Sequence, residues 1–69
     1  MSGDWRAAWA IRELKAVKRD VGDQYHWTWI CSMEREATRT VIHSPGRHPV
    51  EAIETGWVLA KMVEDATNV

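Results

Sequence analysis

The chain has 69 residues and a net charge of −1, with five tryptophans, no phenylalanine and a single cysteine, Cys31. A chain this short holds one domain, and its core rarely supplies more than about 3–5 kcal/mol without a staple or a partner. A lone cysteine excludes an intrachain disulfide and a cysteine-based metal cluster, and the near-neutral charge gives no general pull towards nucleic acid or membrane.

No apolar run is long enough for a signal peptide or a membrane span, so a cytoplasmic protein with no membrane partner is expected. The charges are unevenly spread. From Trp5 to Arg19, five bases (Arg6, Arg12, Lys15, Lys18 and Arg19) stand against one acid, Glu13. From Val50 to Ala66, four acids (Glu51, Glu54, Glu64 and Asp65) stand against one base, Lys61. A basic front and an acidic back can attract each other within the fold or between protomers.

Residues 4–20 read as a helix. Asp4 suits the N-cap, and the Ala, Arg, Lys and Leu that follow favour helix. Lys18 and Arg19 suit the negative end of the helix dipole, and Gly22 provides a left-handed stop. Ala7, Ala10, Ile11, Leu14, Val17 and Val21 form one apolar stripe at helical spacing. Trp5 and Trp9 project from nearly the opposite side, beside Arg12, Lys15 and Arg19. Guanidinium groups stack on indole, so this Trp-Arg face is the first candidate contact surface.

Residues 25–33, YHWTWICSM, alternate and are rich in strand formers, and 38–43, TRTVIH, read as a second strand. The polar stretch 34–37 between them fits a hairpin turn centred on Arg35 and Glu36. That register sets Met33 opposite Thr38, Cys31 opposite Thr40 and Trp29 opposite Ile42. The face carrying Trp27, Trp29, Cys31, Met33 and Ile42 is the natural core, with Tyr25 and Trp27 at its wetter end.

Pro45-Gly46 marks a turn, and Pro49 suits the first position of a second helix over residues 49–66. Its apolar face includes a line of small residues, Ala52, Gly56 and Ala60, which favours close packing on the sheet. Thr67, Asn68 and Val69 form a short tail. The order α-β-β-α implies a single α+β domain in two layers, an antiparallel hairpin packed against two helices.

That order loosely resembles double-stranded-RNA-binding domains and HicB-like antitoxins. It departs from the former in lacking a third strand and a basic start to the last helix, which here opens with VEAIE. No motif of either family is present.

His26, His43, His48 and Cys31 are metal-ligand types, but alternation puts His26 and Cys31 on opposite faces, and two histidines without a third ligand make a poor site. His43 and Ser44 lack an orienting third group, and no phosphate loop is present. No catalytic residue, metal site or cofactor is expected. The chain reads as a non-enzymatic interaction protein: an inhibitor, adaptor or antitoxin-like regulator, of a composition that suits a phage product. Its partner would be another protein or a second copy, bound through Trp5, Trp9, Arg12, Lys15 and Arg19 or through a free strand edge. The alternative is a nucleic-acid-binding regulator that uses Arg12, Lys15, Lys18, Arg19 and Arg39 on phosphate.

Overall fold

A computed structural model describes residues 4–67. After a 3-10 turn over Trp5–Ala8 come three strands, β1 (Trp9–Val21), β2 (Gln24–Arg35) and β3 (Thr40–Gly46), and one helix, α1 (Pro49–Thr67). The strands form one antiparallel sheet in the order β1-β2-β3. The expected α-β-β-α layout is therefore wrong at its first element, and the hairpin on two helices is a three-stranded sheet on one. The loose likeness to RNA-binding domains and antitoxins rested on that layout and goes with it.

Residues expected as a helix form the longest strand. Asp4 does cap, but it caps the 3-10 turn, its Oδ1 accepting from the Arg6 N–H at 3.0 Å. From Trp9 the chain pairs with β2 along its whole length, which outweighs the modest helix preference of Ala, Lys and Leu. The register shifts between Ile11 and Glu13, so Arg12 is the extra residue of a β-bulge. The bulge brings Ile11 and Leu14, three positions apart, to the same face. This spacing imitates a helical stripe. Gly22, at φ 64°, is not a helix stop but the first residue of the two-residue turn joining β1 to β2.

The β2–β3 turn spans residues 36–39, with Arg39 in the left-handed region at φ 60°. Met33 therefore pairs with Ile42, Cys31 with Ser44 and Trp29 with Gly46. The register differs from expectation by four residues. An even shift leaves every β2 side chain on its expected face. The helix runs one residue past the expected 49–66, and the rest of the expected tail, Asn68 and Val69, lies outside the described residues.

The helix lies on the face that carries Trp9, Trp29, Cys31 and Met33. Ala52, Gly56, Ala60 and Glu64 form its buried line. A Cβ on Gly56 would fall 2.6 Å from Met33 Cε and 2.9 Å from Ser44 Oγ, so the missing side chain is what lets helix and sheet approach. The buried hydrophobic core consists of Trp9, Cys31, Met33, Ala52 and Ala60, with Trp5, Trp29, Ile42, Ile53, Trp57 and Val63 packed around it.

Beyond Ala16, Trp29 and Gly46, β3 ends and the helix turns back over the sheet, while β1 and β2 run on together to Val21 and Gln24. This two-stranded arm makes the molecule 51 Å long and only 20 by 19 Å across. Its radius of gyration is 13.9 Å, against about 11 Å for a compact chain of this length.

Candidate functional site

Each sheet face has its own chemistry. On the helix side, the expected aromatic core divides along its length. Cys31 and Met33 are fully buried, Trp29 is half-buried, and Trp27 and Tyr25 on the arm are 58% and 56% exposed. Their rings meet edge to face with centroids 6.5 Å apart. Lys18 belongs to the same face, its Nζ 4.3 Å from the Tyr25 ring centroid.

The outward side of α1, opposite its buried line, carries Glu51, Glu54, Val58, Met62 and Asp65, all exposed. Val58 and Met62 are each 61% exposed, one helical turn apart. Beside them runs a groove of about 530 Å³ lined by Trp5, Arg6, Glu54, Trp57, Val58, Lys61 and Met62. Trp5 meets Trp57 edge to face at 5.9 Å. The Arg6 guanidinium lies 5.6 Å and 5.8 Å from the two ring centroids, and Lys61 Nζ lies 5.7 Å from Trp5.

The candidate face of Trp5, Trp9, Arg12, Lys15 and Arg19 does not exist as one surface. Trp9 is only 5% exposed, and its indole N–H donates to Glu64 Oε2 at 3.0 Å. Glu64 also accepts from Arg35 Nε, so one buried carboxylate joins β1, β2 and the end of α1. Arg35 and then Trp9, by hydrogen bonding, hold the Glu64 carboxyl below its usual pKa against the opposing effect of burial. Trp5 stays near the surface but leans on α1. The guanidinium beside the Trp5 indole is that of Arg6, which the expected face did not include, and not that of Arg12 or Arg19.

Arg12, Lys15 and Arg19 instead share the open sheet face, opposite the helix. Arg12 Nε donates to Glu34 Oε1 at 2.9 Å, and Arg39 from the β2–β3 turn reaches Glu34 Oε2 at 3.2 Å. The Arg12 hydrogen bond, ahead of the charges of both arginines, lowers the Glu34 pKa. Lys15 pairs with Glu13 at 3.4 Å. Of the proposed phosphate-binding set, Lys18 alone lies on the other face. On the open face, His43 Nδ1 is 2.9 Å from Ser32 Oγ, and among the described residues no three His, Cys, Asp or Glu side chains gather as a metal site.

The sequence places Trp27 and Tyr25 at the wetter end of a core strand, whereas the structure leaves both exposed on the arm. The signal missed was Val21-Gly22-Asp23-Gln24: Gly-Asp between two apolar runs is a hairpin turn, and a hairpin there leaves its far end beyond any helix. No helix of the described residues is long and apolar enough to cross a membrane. No family model, curated protein or solved structure matches the chain.

Proposed function

We propose that the chain is a non-enzymatic protein-interaction module, and that its contact surface is the helix side of the arm together with the outward side of α1. One observation carries this reading. Among the described residues, nine large hydrophobic side chains are exposed against only five buried hydrophobic ones, and two of the nine, Tyr25 and Trp27, are neighbours on one face of a projecting ribbon. Apolar patches on small monomers normally mark contact sites, and aromatic anchors carry most of the affinity at such sites. A two-stranded ribbon is also marginal by itself and gains most from being covered.

The side chains, rather than a free strand edge, are the better contact. The outer edge of β1 has a bulge at Arg12 and carries Glu13, Lys15, Lys18, Arg19 and Asp20. Bulges and edge charges are the usual obstacles to strand addition. The test is affinity capture from cells with the wild-type chain and Trp27→Ser side by side. A partner retained by the first and lost by the second, at unchanged circular dichroism, supports the reading. Equal retention by both sinks it.

A second reading is favoured by the open sheet face, where Arg12, Lys15 and Arg19 lie together while Glu51, Glu54 and Asp65 lie across the molecule on α1. A net charge near zero then hides a basic face, and phosphate would be the ligand. Tryptophan fluorescence titrated with single-stranded DNA, duplex DNA and RNA at low and moderate salt tests it. Saturable, salt-reversible quenching that Lys15→Glu with Arg19→Glu eliminates is the supporting outcome. Quenching that survives the double variant excludes this face.

A further inference from the structure

We infer that the partner of the apolar surface is a second copy of this chain, each hairpin arm lying across the outward side of the other copy's helix. The inference rests on the protein-interaction reading and names the occupant.

Shape is the first argument. The protomer is a step: a sheet with α1 on one face, continued beyond the end of β3 by an arm over which no helix of the described residues lies. The height of the step is one helix, about 10 Å. Two such steps turned face to face about a two-fold axis fill each other. Each helix is then held between its own sheet and the partner's arm, which is a closed, isologous contact. The free arm, five residues per strand beyond β3, is about 17 Å long and fits within the roughly 28 Å of α1.

Chemistry agrees. The arm offers Trp27 and Tyr25, and the helix offers Val58 and Met62, apolar groups each more than half exposed. Because α1 begins just after β3, where the arm departs, the two-fold sets the base of the partner's arm over the first half of the helix and its tip over the second. Lys18 then falls towards Glu54, and Asp20 near the tip towards Lys61. The basic front and acidic back of the sequence meet between protomers.

Area agrees as well. The protomer exposes 5041 Å², against about 4,400 Å² for a compact monomer of 7.9 kDa. The surplus of roughly 600 Å² approaches the about 800 Å² that one partner contributes to a standard interface.

Sedimentation equilibrium of the full chain tests the inference. The wild type is expected to dimerise, and Trp27→Ser to raise the dissociation constant about tenfold or more. Lys18→Glu and Glu54→Lys should each weaken the dimer, and the two together in one chain should restore it. Should Trp27→Ser disturb the fold, as read by circular dichroism, the charge exchange decides. A wild type that stays monomeric overturns the dimer but leaves the apolar surface free for a different protein. A dimer indifferent to all these substitutions uses another interface, and then both the inference and the surface assigned under the function fall.

Discussion

Trp9 and Glu64, 55 positions apart, are joined by a buried hydrogen bond of 3.0 Å from the indole N–H to the carboxylate. It fixes the start of β1 to the last turn of α1, with Arg35 completing the cluster from the end of β2. No other ion pair joins the helix to the sheet among the described residues. Trp9→Ala removes the largest buried side chain of the core, and truncations of this kind cost about 3–5 kcal/mol. That equals the whole stability expected of so small a core. The variant should lack a cooperative thermal transition. Trp9→Phe, which retains an aromatic ring, should keep the transition at a lower midpoint. A folded Trp9→Ala would show that the indole is not structural.

The Glu64 cluster also sets the pH response. Its folded-state pKa lies below the unfolded value, about 4.3 for glutamate. Above that value both states are ionised and the stabilisation is fully present. As pH falls the unfolded chain takes up the proton first, and the stabilisation is lost as pH falls through the folded pKa. Urea midpoints should therefore be flat near neutrality and drop below about pH 4. Glu64→Gln should start lower and lose much of that acid slope. Glu34→Gln should retain most of it, because its partners Arg12 and Arg39 are largely solvated. The reverse ranking would transfer the acid sensitivity to the open face.

The glycines give a graded test of packing. A Cβ on Gly46 would sit 2.3 Å from Ala52 N and 2.7 Å from its Cα, both helix backbone that cannot step aside. Gly46→Ala should cost about 3 kcal/mol or more, since α1 must move off β3. At Gly56 the nearest atom is the flexible end of Met33. Overpacking of about 1–3 kcal/mol there is offset by about 1 kcal/mol of helix preference, leaving a loss of about 1 kcal/mol. Gly22→Ala meets nothing within 4 Å and should cost about 1 kcal/mol, for its left-handed backbone alone. Urea denaturation of the three variants gives the ranking, and equal losses at Gly46 and Gly56 would contradict the close approach at β3.

The parts of the fold legible in the sequence are those where one period dominates. Alternation from Tyr25 to Met33 gives β2 and its faces, and Pro49 with the Ala52, Gly56 and Ala60 line gives α1 and the side it buries. The first twenty residues mislead for a physical reason. The bulge at Arg12 breaks the alternation of β1 and leaves Ile11 and Leu14 at helical spacing, among residues that favour helix by small margins. Long-range pairing with β2 then decides the conformation, and no local window contains it. The candidate site followed that error. As a helix, residues 5–19 group Trp5 and Trp9 with Arg12; as a bulged strand, they send Trp9 inward and Arg12 outward. The front-to-back charge asymmetry survives the change, because it depends on residue order and not on the element that carries it.

Cys31 gives a last prediction, about opening of the fold. Its thiol is fully buried and its pKa is raised, chiefly by that burial, with the Ser44 hydroxyl a smaller opposing influence. Ser44 Oγ is also buried. It is 2.8 Å from Ala52 O and 3.3 Å from Cys31 O, and so ties α1 to β2 through β3. The thiolate is the reactive form, so a chromogenic disulfide reagent should label native Cys31 only as fast as the structure opens. Ser44→Ala leaves the Ala52 carbonyl without this partner, and a lost buried hydrogen bond of this kind costs about 1–2 kcal/mol. If opening is fast and reversible, the labelling rate should rise about five- to thirtyfold. Trp27→Ser, on the arm far from the thiol, should leave the monomer's rate unchanged. Rapid stoichiometric labelling of the wild type would show that α1 does not stay closed over β2.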